Sequence, residues 1–274
     1  MTVSTGFQTN LAIISAIAGK DDYILNDREN HASIYDACRL SYAKVLRYRH
    51  SDMEDLERQL KSILCQLGPD DEVVVSDDGS TDETIALLQA MNDARIRIVE
   101  GPHRHSPIWN FERALSLSKG DYIFLSDQDD EWLPNKVAVC MDYLKYYDCV
   151  VSDCQVVDGT NKVLHNSFYQ INGTRKGSLY NLLVKNGYLG CCMAFRRQVL
   201  DKALPFPKRT PMHDIWLGNV AAFRYSLCFI PDKLVLYTRH GGNASSASDT
   251  SRYSLWNKLC FRWTMLLSVL RLLF

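Results

Sequence analysis

Carboxylates crowd two short stretches of this chain, VVVSDDGSTDET over residues 73–84 and DYIFLSDQDDEW over residues 121–132. Each cluster follows an apolar run, Val73-Val74-Val75 or Ile123-Phe124-Leu125, of the kind that forms a buried parallel strand. Carboxylates just past such strands fall at the carboxyl edge of an open α/β sheet, where ligands bind. Two acidic groups meeting at one edge repel unless a cation or a donor-rich ligand separates them. A divalent metal carrying a nucleotide diphosphate meets that need.

In the first cluster, Asp77 or Asp78 can accept hydrogen bonds from a base N–H or a ribose hydroxyl, and Gly79 permits a tight turn beside the ligand. The competing reading is an ordinary helix-capping turn, since Asp-Gly-Ser is turn-prone without any ligand. The second cluster is the stronger signal. Asp127, Asp129 and Asp130 are costly to place so close together without a counter-cation. Alternate residues of an extended segment point the same way, so Asp127 and Asp129 can converge on one ligand. Hard oxygen ligands in an incomplete shell suit Mg2+ or Mn2+ completed by phosphate oxygens. A solvated acidic loop is the plainer alternative.

The elements that must carry these clusters follow from periodicity. Leu56, Leu60, Ile63, Leu64 and Leu67 share one face of a helix over 54–67, which Gly68-Pro69-Asp70 ends. A strand over 72–76 follows, and Ser80-Thr81-Asp82-Glu83 is a capping box opening the next helix. After a short strand, Ile96–Val99, Ser106-Pro107 supplies an N-cap and a first-turn proline for a helix over 107–118. Lys119-Gly120 closes that helix. Strand 121–126, a helix over 134–146 opened by Pro134, and strand 148–152 come next. The second half predicts a helix near 178–185, a turn and strand over 187–196, a helix over 214–223, and two short strands, 226–230 and 234–238. Such alternation predicts an α/β fold with a Rossmann-like, mostly parallel sheet flanked by helices.

At 274 residues the chain can bury the core of one large domain, and Lys+Arg 31 against Asp+Glu 32 gives no broad basic field for nucleic acid. The nine cysteines form no CxxC pair, and Cys38, Cys65, Cys140 and Cys149 lie in apolar segments. They read as reduced core thiols of a cytoplasmic protein. No basic leader precedes the apolar run Leu11–Ala18, so no signal peptide is expected. Residues 252–274 combine Arg252, Lys258, Arg262 and Arg271 with Trp256, Phe261, Trp263, Leu266, Leu267, Leu270 and Phe274. Their uncharged stretch, 263–270, is too short to cross a bilayer. This segment reads as an interfacial membrane anchor, or as a helix packed on the domain.

Taken together, DDGSTDET and SDQDDEW closely resemble family-2 inverting glycosyltransferases of the GT-A fold, most of all the bacterial enzymes of O-antigen and other surface polysaccharides. Asn110-Phe111, Trp132 with Lys136, Gly190–Arg196, His213-Asp214-Ile215-Trp216 and Tyr237–Asn243 extend the resemblance over roughly residues 54–245. It implies a metal-dependent transfer of a sugar from a dTDP- or UDP-linked donor to a lipid-linked saccharide at the inner face of the cell membrane. The SDQDD form leans toward dTDP-rhamnose.

By that resemblance Asp78 holds the nucleoside, Asp127 the ribose or donor sugar, Asp129 with Asp127 the metal, and Asp214 is the catalytic base. Asp77, Gly79, Asn110, Lys136, Arg239 and His240 join the donor site, and Gly190, His213 and Trp216 the acceptor site. Plainer roles compete at several positions. Asp214 can cap helix 214–223, His213 can be a surface histidine, and Trp109 and Trp216 can be core residues. A catalytically impaired nucleotide-sugar-binding protein and a sugar nucleotidyltransferase are the alternatives to the transferase.

The resemblance also predicts a strand and nucleotide-contacting loop just before helix 54–67. Residues 42–50 are too basic for a buried central strand. Either Leu11–Ala18 supplies the strand, or the frame is shifted at the 5′ end. Read one base forward, Tyr42–His50 can encode Met-Leu-Lys-Phe-Ser-Val-Ile-Ala-Thr. The expected layout is an atypical, poorly packed segment 1–50, a transferase domain 51–245 and a basic amphipathic helix 246–274.

Overall fold

The computed structural model describes residues 23–27, 44–48, 53–80, 83–239 and 255–273. Two compact units divide the chain, Met1–Asp52 with His240–Ser245, and Met53–Arg239 with Ser246–Phe274. In the first, β1 (Tyr23–Asp27) and β2 (Lys44–Tyr48) form a parallel pair. The basic stretch 44–48 is thus a strand, but its partner is β1. Leu11–Ala18 lies outside the described residues.

The second unit begins with α1 (Met53–Leu64), β3 (Val73–Asp77), α2 (Thr84–Ala90), β4 (Ile96–Glu100), α3 (Pro107–Leu117), β5 (Tyr122–Phe124), β6 (Glu131–Trp132) and α4 (Lys136–Leu144). It continues with β7 (Cys149–Asp158), β8 (Val163–His165), α5 (Phe168–Asn172), α6 (Ser178–Leu183), a 3-10 turn Gly190–Cys192, β9 (Met193–Arg196), α7 (Arg197–Ala203), α8 (His213–Arg224), β10 (Leu227–Arg239) and α9 (Leu255–Leu273).

Strand order in the large sheet is β5-β9-β7-β10-β6, with β8 on β7; β3 and β4 form a separate parallel pair. The α/β class holds, but pairing in the large sheet is mixed: β7 and β10 run parallel, whereas β5–β9, β9–β7, β8–β7 and β6–β10 are antiparallel. Periodicity finds strands but not their direction, which the connections set. The two short strands expected near the end are one bent strand, β10, whose register on β7 shifts between Ile230 and Leu236. Pro231 interrupts the ladder there without ending it.

Helix starts differ from the expected caps. Glu83 occupies the N-cap of α2 and makes no side-chain cap bond, Thr81 and Asp82 lie outside the described residues, and Ser106 caps α3 without a side-chain bond. The helix after Pro134 starts at Lys136, because Asn135 adopts φ 71 just before it.

Side chains alternate across β7. Cys149 and Val151 enter a large core with Met193, Phe195, Leu217 and Val220, while Val150 meets Cys140 and Leu144 of α4 on the opposite side; past the register shift, Cys154 and Val156 join the large core. Cys65 is exposed, unlike the other expected core cysteines in this unit, Cys140 and Cys149. β7 is buried almost throughout, whereas every residue of β3 is only half-buried. The β3–β4 pair is tied to its helices by two arginines. Arg95 donates to the Leu64 and Leu67 carbonyls at the end of α1, and Arg97 to Glu72 and to the Leu117 carbonyl of α3. These bonds satisfy carbonyls that a helix end leaves without partners.

The contrast between strands gives a test. Val150→Ala removes a side chain at 0% exposure and should cost about 2–3 kcal/mol in urea unfolding. Val74→Ala, half-buried in β3, should cost about 1 kcal/mol or less. Equal losses would mean that β3 is packed as tightly as β7.

Candidate functional site

The second acidic cluster folds as a turn between β5 and β6, and α1 holds it from outside. Gln59 Nε2 donates to Ser126 Oγ at 2.8 Å and to the Asp127 carbonyl. Ser62 Oγ accepts from Trp132 N at 3.0 Å, and Gln66 bridges the Leu133 carbonyl and Val137 N. Gln59, Ser62 and Gln66 thus form a polar stripe beside the apolar face that periodicity detects. Sequence reasoning missed them; the signal was their helical spacing.

Beneath the turn, Lys136 is fully buried. Its Nζ donates to the Cys191 carbonyl at 2.6 Å and lies 4.1 Å from the centre of the Trp132 ring. Burial lowers its pKa, while Cys192, Cys191, Cys140 and Asp130 act to raise it. Lys136 therefore supports the acidic turn from inside, contrary to its expected contact with a donor. Asp130 is the residue that sequence reasoning left without a role. It is entirely buried, one oxygen accepts from Thr238 N at 2.9 Å, and Oδ2 has no partner. Burial and the charges of Asp127 and Asp129 push its pKa well up.

Asp127 is half-buried by surface, yet protein crowds it closely. Burial first, then the charges of Asp129, Asp214 and Cys192, raise its pKa to about 7, against the pull of Lys136. Ligand atoms of Asp127, Asp130 and Cys191 lie within 4.8 Å of one another. The hydrogen bond with Cys192 and burial push the Cys191 thiol well up, so it stays neutral and the carboxylate oxygens define the donor set. Converging carboxylates, one with an unpartnered buried oxygen, fit a hard divalent cation. Asp127 and Asp130 are nearest to such a position, with Asp129 between them in the turn.

Asp214 forms the other side of this group. The expected N-cap role fails, because α8 starts at His213 with Met212 at the cap, leaving Asp214 in the first turn. Asp214 Oδ1 accepts from Ile215 N at 2.7 Å and Oδ2 from Gly190 N at 3.2 Å. Burial raises its pKa to about 6 despite those amides. Gly190 is the residue this contact requires, since a Cβ there would meet His213 Nε2 at 3.0 Å and Asp214 Cβ at 3.5 Å.

His213 is no surface histidine. It is 5% exposed, both ring nitrogens lack partners, and the ring stacks on Phe111 at 3.8 Å. Burial lowers its pKa to about 3. Trp216 is a core residue too, donating Nε1 to the Ala203 carbonyl at 2.8 Å, so it offers no face to an acceptor. Trp109 lies under Arg104, 5.0 Å from the ring centre.

The first acidic cluster forms a second group. Asp77 accepts from Gly79 N and Ser80 N and closes a local turn, while the N-cap of α2 is Glu83. Asp78 accepts from Arg104 N at 3.2 Å and Ser106 N at 3.4 Å. Desolvation would raise its pKa, but the backbone N–H groups of residues 103–106 prevail and hold it low. Asp78 therefore orders that loop. Gly79 adopts φ +100, with His103 Nδ1 3.1 Å from where its Cβ would be. Asn110 fastens α3 to β3 through Ser76, accepting from its Oγ at 2.6 Å and donating to its carbonyl at 2.8 Å. Arg239 ends β10 opposite Asp158, and His240 lies outside the described residues.

Comparison with known proteins places this architecture. Glycosyl transferase family 2 matches residues 50–204, more than half of the chain, so the chain belongs to that family. Staphylococcus aureus TarS 1–349, solved in complex with UDP-GlcNAc, shares the fold with a TM-score of 0.57 and 17% identity, over 77% of this chain and 62% of that one. The mannosyltransferase PcManGT from Pyrobaculum calidifontis, solved with GDP-Man and Mn2+, gives 0.52 and 20%, over 81% and 62%.

Residues 1–67 match a different family, aminotransferase class I and II. The 8-amino-7-oxononanoate synthase of Thermoanaerobacter pseudethanolicus is 54% identical over 63 residues, 23% of this chain and 16% of that protein. The serine palmitoyltransferase of Sphingobacterium spiritivorum is 53% identical over 60 residues, 22% and 15% respectively. The departure before α1 thus falls within a stretch that is similar to aminotransferase sequences. The two family matches overlap at residues 50–67, which contain α1.

His213 supplies a pH test. Its folded pKa of about 3 lies below the ordinary 6.5, so the unfolded ring binds a proton first and stability falls as pH falls through that window. The slope is at most about 1.4 kcal/mol per pH unit. His213→Leu should flatten it between about pH 6.5 and 5 in denaturant titrations. Equal slopes would show that the folded ring protonates as readily as the unfolded one.

Proposed function

We propose that this chain is an inverting glycosyltransferase that moves a sugar from a nucleotide-diphosphate donor to a saccharide hydroxyl. The observation that carries the reading is Asp214, a buried carboxylate with a pKa of about 6 whose charge reaches Asp127. A base of that kind is mostly ionised at neutral pH and still basic enough to accept a proton in the transition state. Asp214 takes the acceptor proton as the acceptor oxygen bonds to the anomeric carbon, and the diphosphate departs with the electron pair of the broken bond. A divalent cation held by Asp127, Asp129 and Asp130 would balance charge on the leaving group. Gly190 N and Ile215 N hold the Asp214 carboxylate in place.

Donors of the UDP, GDP or dTDP type fit this reading, as does the dTDP-rhamnose preference expected from the SDQDD form. The acceptor we propose is lipid-linked, at the inner face of the cell membrane in surface-polysaccharide synthesis. No described helix is long and apolar enough to cross a membrane. α9 supports contact with a membrane surface. Met265 and Val269 are buried, while Trp256, Trp263, Leu267 and Leu270 form one exposed apolar stripe on the helix, with Arg271 at its end. A second reading, a donor-binding protein with impaired turnover, draws support from the separation of β3 from β5.

Calorimetry with UDP and Mn2+, paired with transfer assays, distinguishes the two readings. Asp214→Asn should keep UDP affinity within about twofold and lose turnover by about 100-fold or more. Wild-type kcat should fall as pH drops through about 6, because a protonated Asp214 cannot act as base. Asp129→Ala should remove the Mn2+-dependent part of UDP binding. Near-normal transfer by Asp214→Asn would remove it as the base, and binding without transfer to any acceptor would favour the second reading.

A further inference from the structure

Two helices of the second unit show apolar residues to solvent side by side. On α6, Leu179 and Leu183 share one face four residues apart, and Val184 continues it at the C-cap. Leu179 is 61% and Val184 53% exposed. Leu182 packs inward on the opposite face, so α6 carries apolar residues where a surface helix has polar ones. Asn181 holds α6 rigidly: its Nδ2 donates to the Arg175 and Gly177 carbonyls, and its Oδ1 accepts from Gly187 N. α9 reaches the end of α6 through Arg262, which donates to the Val184 carbonyl, and both helices pack on α8. Neighbouring helices on one support present their outer faces to the same side, so the exposed stripe of α9 extends the apolar face of α6.

Charge says what covers this face. Arg175, Lys176 and Lys185 flank α6 and Arg271 ends α9, all of them exposed. No Asp or Glu occurs in residues 159–200 or 255–274, although the chain as a whole is close to neutral, at −1. An anionic surface with an apolar interior matches both features. A second copy of the chain does not, because a twofold contact would set each basic cluster against its own image.

We propose that α6 and α9 together form one docking surface for a membrane leaflet rich in anionic lipid, with Leu179, Leu183 and Val184 entering the interface beside the tryptophans of α9. This docking mode rests on the membrane contact read for α9 and adds to it a second element and a lipid class. A single interfacial helix can roll about its own axis, whereas two joined helices fix how the unit lies on the surface. Both are packed on α8, which carries Asp214 in its first turn, so the candidate base takes a set orientation to the leaflet.

Co-sedimentation of the chain with vesicles tests this, using phosphatidylcholine alone and phosphatidylcholine with about one quarter phosphatidylglycerol. The anionic vesicles should bind about tenfold more tightly, and about 0.5 M NaCl should remove most of that difference. Leu179→Ser combined with Leu183→Ser should weaken binding to anionic vesicles about tenfold at an unchanged urea midpoint. Should that pair fail to fold, Lys176→Glu with Lys185→Glu, both at exposed positions, should give a loss of similar size. Binding kept by the α6 variants but lost by Trp263→Ser would overturn the two-helix surface and leave the contact of α9 standing. No binding of the unaltered chain to either vesicle would remove both, and equal binding to the two vesicles would overturn the anionic surface. A dimer in sedimentation velocity that Leu183→Ser dissolves would make a second copy the occupant and overturn the proposal as well. Transfer to a soluble acceptor tests the transferase reading separately, since Asp214 and the acidic turn are unaltered in every variant.

Discussion

Negative charge folded into a low-dielectric interior is the constraint around which this unit is organised. Burial and the charges of Asp129 and Asp214 raise the pKa of Asp127, burial and the charges of Asp127 and Asp129 raise that of Asp130, and burial raises that of Asp214; a protein tolerates such a group only if neighbours oppose the repulsion. Lys136 provides the opposing charge from below, and its own burial is supported by the Cys191 carbonyl and the Trp132 ring. From above, Gln59, Ser62 and Gln66 fix the backbone of the turn, so its carboxylates are aimed by a helix distant in sequence. Thr238 N, on β10, holds Asp130 from the far side. The turn is therefore fastened by three elements, and its geometry does not depend on the turn residues alone.

Asp214 reaches the same place by a different route. Its helix is anchored in the core through Leu217, Val220 and Trp216, and the close passage of Gly190 brings a backbone amide to the carboxylate. The stack of His213 on Phe111 links that helix to α3, which Asn110 binds to β3. Through this chain of contacts, both acidic edges share rigid elements even though Asp77 and Asp78 bond to their own turn and loop.

Where periodicity was strong, the elements formed nearly as expected: the leucine face of α1, the valines of β3 and the apolar run before Asp127 all sit in regular structure. Asp127 and Asp214, singled out from residue type and position, lie close enough for the charge of Asp214 to act on Asp127. Orientation could not. Nothing in the residues around Lys136 or Trp216 distinguishes a side chain facing a ligand from one facing the core, and both face the core. The role of Asp130 was hidden because its partner, Thr238, lies far along the chain on a strand whose register sequence patterns do not fix. Strand direction was lost for the same reason. The atypical character of the first fifty residues was visible in their basic composition, but their similarity to aminotransferase sequences was not.

The interrupted sheet has a consequence for the behaviour of the molecule in crowded solution. Strand edges with unmet amides and carbonyls are templates for pairing between molecules, and natural sheets shield them with charge, bulges or covering segments. Here the edges unpaired among the described residues carry Val73-Val74-Val75, half-buried, and Ile123-Phe124, buried and half-buried, among the residue types most prone to cross-β stacking. A change that uncovered those edges would give copies of this chain a place to pair.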